Sequence, residues 1–330
     1  MNRRDTVLAL LALAAAGGPL AAEAQQSKDK TVHIGILVTG GYAQRGHLEQ
    51  ALLEGLRDQG YVEGRNLVIE RRYADGRRER TPEFARELAA MKLDAVVTTC
   101  TPSTRAARQA TASTPIVMAA VADPVGQRLI ASLARPGANI TGLSSQAEDI
   151  LPKMMELFSG VLPKPATVAV FMQGGSDVHP RMWQQLAPIA QALKLELVKI
   201  HVANLADVPA AFDRALREKA NALFVLPDEP MFTNGRAQII ELAARHRLPA
   251  FYGSRESVDD GGLMSYGENL RTAYRKAASY IHRLARGAEA GDLPVEQPTK
   301  FEFVINQKTA KALGITIPQS LLVRADHVIQ

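Results

Sequence analysis

The chain has 330 residues, with 39 Lys and Arg against 34 Asp and Glu, a formal net charge of +5 and a single cysteine. A lone Cys100 excludes an intramolecular disulfide and a thiolate metal cluster. Charges of both signs run interspersed along the chain, as on a solvated surface rather than a nucleic-acid footprint, so no nucleic-acid partner is expected.

At the N-terminus, Arg3 and Arg4 precede an apolar run from Val7 to Ala16 and a small-residue stretch ending at Ala24. This is the layout of a signal peptide, with cleavage expected after Ala24. The apolar run is too short for a membrane span of ~20 residues, and Gly17, Gly18 and Pro19 interrupt it. Residues 1–24 are therefore expected to be removed and the mature protein to work in the periplasm. Its net charge stays the same, because Arg3 and Arg4 leave with Asp5 and Glu23.

From residue 32 onward, short β-branched runs alternate with segments whose apolar residues recur every three or four positions, the pattern of an α/β fold. Strands are predicted at 32–38, 67–73, 95–99, 116–121 and 140–143, with helices around 48–60, 82–91, 103–110 and 125–133. The basic cluster of Arg71, Arg72, Arg77, Arg78 and Arg80 holds Asp75 and Glu79 within it and reads as a loop face. The pattern restarts after residue 143. Helices are predicted near 150–158, 182–193, 208–216 and 239–243, with strands at 167–171, 195–202, 222–226 and 249–252. An extended segment at 262–266 and a long helix over 269–286 follow.

Two sets of four to five βα units suggest two Rossmann-like lobes with parallel sheets rather than one eight-stranded barrel, for which the strands are too many. No low-complexity linker separates the halves. Crossovers are expected near 144–148, 266–268 and 300–306, giving one lobe of 31–145 plus 267–300 and another of 146–266 plus 301–330. Several chain crossings make a multi-strand hinge about a cleft.

No nucleophile elbow, phosphate-binding glycine loop or helical zinc motif occurs, and the seven histidines have no ligand spacing. No cofactor or metal is expected, and no enzymatic activity. Small polar residues instead follow the C-terminal end of strand after strand, the edge at which parallel sheets bind ligands. The candidate ligand-binding residues are Gly41, Tyr42, Thr99, Thr101, Ser103, Thr104 and Asp123 from the first half. The second half offers Gln173, Ser176, Asp228, Tyr252, Ser254 and Tyr266. The hydroxyls from Thr99 to Thr104 lead into a helix start, which suits a carboxylate. They also suit simple N-capping. Asp228 can receive an amine or cap a turn.

Several longer stretches carry a family resemblance. They are Asp123-Pro124, the run 133–142 (LARPGANITG), 261–267 (GGLMSYG), 293–302 (LPVEQPTKFE) and the pattern Asn306-x-Lys308-Thr309-Ala310 continuing to Ile317-Pro318. In this order they resemble the ABC-transporter substrate-binding family that includes tryptophan- and tyrosine-binding proteins. The resemblance implies a type I periplasmic-binding fold and passive capture of a small molecule, an amino acid or similar organic carboxylate, with an ABC permease as partner. The protein is expected to be a monomer. A sensing module on the same fold, or an exported α/β enzyme using Asp123, Asp177 or Asp228, are the alternatives.

Overall fold

The computed structural model describes residues 31–330, so the expected signal segment lies outside the described residues. Five strands, β1 (Val32–Val38), β2 (Leu67–Tyr73), β3 (Ala95–Thr98), β4 (Ile116–Ala122) and β5 (Ile140–Ser145), form a sheet in the order β2-β1-β3-β4-β5. All are parallel. A parallel sheet covered on both faces needs apolar residues throughout its central strands, and every residue of β4 is buried. Helices α1 (Tyr42–Asp58), α2 (Thr81–Ala89) and α3 (Thr101–Ala110) connect these strands.

The second sheet contains β6 (Ala166–Gln173), β7 (Leu195–Val202), β8 (Ala222–Val225), β9 (Ala250–Tyr252), β10 (Met264–Glu268), β11 (Phe301–Asn306) and β12 (His327–Ile329). Their order is β12-β11-β10-β9-β8-β6-β7, and only β10 and β11 run antiparallel. Around it lie α4 (Leu151–Ser159), α5 (His179–Leu193), α6 (Val208–Arg217), α7 (Pro230–Asn234), α8 (Arg236–Arg245) and α9 (Arg255–Asp259). After β10 comes α10 (Leu270–Ala285), and near the C-terminus α11 (Gln307–Leu313) and α12 (Gln319–Leu322). Two open sheets rule out the barrel.

Helix α10 leaves the second sheet and packs on the first. Its Tyr274, Ala277, Ala278 and Ile281 share an apolar cluster with Ile34, Leu48 and Leu52. Gly55 of α1 permits that packing, because a Cβ there would lie 2.3 Å from the Arg275 carbonyl oxygen. The chain crosses between the halves after β5, between β10 and α10, and just before β11.

The structure differs from the sequence expectation at several elements. The helix predicted over 125–133 is a series of turns. Asp123 and Arg128 adopt positive φ of 37° and 55°, which no α-helix accommodates, while Leu129 and Ile130 still bury their side chains. Of the stretch 300–306 expected as a crossover, 301–306 is strand β11, antiparallel to β10, and the crossing lies just before it. Strand β12 and the short helices α7, α9, α11 and α12 were too brief to show a period.

Candidate functional site

The C-terminal strand ends of both sheets face one another across a cavity of about 110 Å³, several times the ~10–15 Å³ that one water needs. Thr99, Cys100, Ala120 and Ser145 come from the first sheet's edge, and Asp228, Glu229, Tyr252 and Ser254 from the second's. Arg45 of α1 and Glu268 at the end of β10 also line it. Ile150, Val225, Phe232, Ile239 and Phe301 give it an apolar wall.

The stretch from Thr98 to Thr104 shows how local chemistry divides these hydroxyls. Ser103 Oγ accepts from the Thr99 and Cys100 amides at 3.1 and 3.2 Å and donates to the Cys100 carbonyl at 3.0 Å. Thr104 Oγ1 is 2.7 Å from Thr98 Oγ1 and donates to the same carbonyl at 3.0 Å. Both hydroxyls therefore serve the start of α3, where amide donors lack helical partners. Thr101 differs, since its Oγ1 donates across the gap to Asp228 Oδ2 at 3.4 Å.

Asp228 sits at a positive φ of 72°, a strained conformation for a non-glycine residue. His179 helps hold it there. Its Nδ1 accepts from the Gln173 amide at 2.9 Å, which leaves Nε2–H to donate to the Pro227 carbonyl, also at 2.9 Å. Burial keeps this ring neutral, with its pKa lowered to about 4.

The cavity's electrostatics come from groups taken out of water. Arg45 is 8% exposed; Nη1 donates to the Tyr274 hydroxyl at 3.2 Å, whereas Nε has no hydrogen-bond partner among the described residues. A buried guanidinium needs an anion nearby. Burial first, then the neighbouring Glu229 and Glu268, raise Asp228 well above the usual carboxylate range, and Arg45 only partly offsets this. Burial pushes Glu268 up to about 8 and also raises Glu229, against the opposing effects of Ser176 and Arg78. Asp228 and Glu268 keep some surface, which faces the cavity.

Of the sequence candidates, Thr99, Asp228, Tyr252 and Ser254 line the cavity, and Thr101 reaches its edge through Asp228. The others lie apart from it. Gly41 precedes α1 as its N-cap, and Tyr42 is 59% exposed, edge-on to Tyr73 at 5.6 Å. Asp123 pairs with Arg181 at 2.8 Å and accepts from the Gly126 amide. Gln173, with its amide oriented to satisfy its neighbours, donates to Glu229 at 2.9 Å and accepts from Arg78 at 3.1 Å. Ser176 accepts from the His179 amide at 3.1 Å, and Tyr266 packs on Phe301. Sequence reasoning missed Arg45, Ser145, Glu229 and Glu268. Arg45 lies in the first turn of a helix whose sequence signal is its apolar stripe, and Glu268 lies in a stretch whose sequence suggests a crossover.

Several further bonds join the lobes at the rim. Arg105 meets Asp177 at 2.5 Å, Arg78 donates to the Gly175 carbonyl at 3.2 Å, and His47 lies 3.4 Å from Glu256. With Thr101–Asp228 and Arg181–Asp123, they mark a closed arrangement.

Known proteins share this architecture. A tyrosine-binding protein of Clostridioides difficile is 28% identical, over 87% of this chain and 82% of that protein. A conserved domain protein of Vibrio cholerae is 30% identical with a TM-score of 0.83, covering 91% of this chain and all of that one. The ABC domain of Streptococcus pneumoniae in complex with L-Trp is 25% identical with a TM-score of 0.82, over 91% of this chain and 100% of that one. The chain shares the two-lobed type I periplasmic-binding fold with its solved structural neighbours. Residues 33–329 match the model of the ABC transporter substrate binding protein, and the chain belongs to that family, whose members are solute-binding proteins rather than enzymes.

Proposed function

We propose that this protein captures an amino acid between its lobes outside the inner membrane and delivers it to an ABC permease as the binding component of an importer. One observation carries the reading: a cavity between two lobes lined by a buried Arg45 and by the carboxyl groups of Asp228 and Glu268, beside an apolar wall. A free amino acid brings the complementary set. Its carboxylate answers the guanidinium and its ammonium answers the acids, while an apolar side chain fits against Phe232, Val225 and Ile239. The amino-acid ligands in the names of the pneumococcal and C. difficile relatives agree with this chemistry.

In this account residues 31–145 with 267–300 move against 146–266 with 301–330. A ligand touching both lobes favours the closed form by its differential affinity for it. Thr99, Thr101, Asp228, Tyr252 and Ser254 are the sequence candidates within reach of such a ligand; Gly41, Tyr42, Asp123, Gln173, Ser176 and Tyr266 act on closure or local structure. The signal segment before residue 25 and the family's usual extracytoplasmic setting support a periplasmic location, and the protein acts as a monomer.

The test is a melting series of the mature protein with the twenty amino acids and their deaminated analogues. A ligand at 100 times its Kd stabilises the folded state by about 2.7 kcal/mol, enough for a clear rise in midpoint. No shift with any amino acid overturns the reading.

A further inference from the structure

Asp228, Glu229 and Glu268 line the same cavity as two guanidinium groups among the described residues, Arg45 and Arg236. Most of these charges already have company. Arg236 Nε lies 2.5 Å from Asp260, Glu229 has the Gln173 amide at 2.9 Å, and Arg45 faces Asp228. Glu268 makes no side-chain hydrogen bond or ion pair among the described residues.

The elements packed around Glu268 offer it no committed cation. The loop before α7 brings Asp228 and Glu229 to the cavity that Glu268 lines, α1 brings Arg45, and Glu148 after β5 acts on Asp228. Behind it, a second cavity of about 170 Å³ is bounded by Ser144, Asn269 and Gln297–Lys300, all near chain crossings, and Glu268 lines this one too. Lys276 and Lys300 stand on that side, but they pair with Glu296 at 2.7 Å and Asp326 at 3.4 Å. Glu302 accepts from Asn269 at 2.8 Å and lies 4.0 Å from Arg255. Glu268 itself is fixed by its place opposite Phe301 in the antiparallel ladder.

We propose that the ligand's protonated amine is received by Glu268 together with Asp228, and that its capture expels one proton to solvent. The inference rests on the amino-acid reading and adds the amine's receptor and the proton balance. Burial takes Glu268 out of bulk water with no counter-ion bonded to it among the described residues, so the neutral acid is favoured. An arriving ammonium supplies the counter-ion. The carboxyl O–H breaks, the proton leaves to solvent, and an ammonium–carboxylate pair remains, so charge and atoms balance. A carboxylate ligand without an amine finds only acids at this end and gains nothing from the exchange.

The experiment uses the mature protein with L-tryptophan and L-tyrosine as probes, titrated calorimetrically between pH 5.5 and 8 in pairs of buffers with different ionisation heats. The expected result is release of close to one proton per ligand at pH 6. Affinity should tighten nearly tenfold per pH unit until Glu268 ionises unaided. In Glu268→Gln, release falls toward zero and the pH slope flattens, while Glu268→Asp retains both; melting curves at pH 7 verify that each variant is folded. Indole-3-propionate, which lacks the amine, should bind without proton release. Binding of either amino acid with no proton release, or an unchanged slope in Glu268→Gln, overturns the inference and leaves amino-acid capture standing. Failure of both probes to bind at any pH overturns the inference together with the reading beneath it.

Discussion

Single side chains near the cavity divide into those that face it and those that build its walls, and substitutions should separate the two kinds. Thr101→Ala removes the hydroxyl that reaches Asp228 and should weaken amino-acid binding severalfold with little change in melting temperature. Ser103→Ala removes the bonds that start α3 and should cost about 1 kcal/mol of stability, measured by urea unfolding. Arg45→Gln should weaken binding by about 2 kcal/mol or more, read by calorimetry, because a ligand carboxylate loses its charged partner inside the cavity. Two groups also give stability opposite dependences on pH. His179 is lowered to about 4 by burial, so the unfolded chain binds more protons below pH 6.5 and stability is lost as pH falls from there toward 4. Glu268 is raised to about 8, so the folded chain holds its proton longer and stability falls as pH rises from about 4.5 to 8. Thermal melts of Glu268→Gln should show a shallower decline, since the raised Asp228 and Glu229 still contribute to it.

At the scale of elements, packing sets limits that a substitution can probe. Gly55→Ala places a methyl against the Arg275 backbone between α1 and α10, and the overpacking should cost about 1–3 kcal/mol, read as a lower urea midpoint. Both sheets and their long helices were legible in the sequence because apolar period and burial agree. The strand 32–38 and the helix after β10 are found within a residue or two of their expected bounds. The helix expected over 125–133 failed because its apolar spacing came from a turn segment that buries Leu129 and Ile130 while the backbone takes positive φ. Polar strand ends could be read, but which hydroxyl turns inward could not. Ser103 and Thr104 differ from Thr101 only in where α3 begins, and Arg45 and Glu268 come to line one cavity through a tertiary approach that no local pattern encodes.

Across the whole molecule, the closed form is held by bonds of modest strength. The rim pairs Arg105–Asp177 and Arg181–Asp123 are partly exposed, so each is worth roughly 0–1 kcal/mol and is screened by salt. Without ligand, 1 M salt should therefore enlarge the radius of gyration seen by small-angle X-ray scattering; with a bound amino acid the same salt should change it little. The most direct test is a crystal structure grown with saturating L-tryptophan or L-tyrosine. The account predicts the amino acid in the interlobe cavity, its carboxylate toward Arg45 and its amine toward Asp228 and Glu268, with Thr101 and Asp228 still joined at the edge. An amino acid bound elsewhere, or lying in this cavity with its amine turned away from both acids, would contradict it.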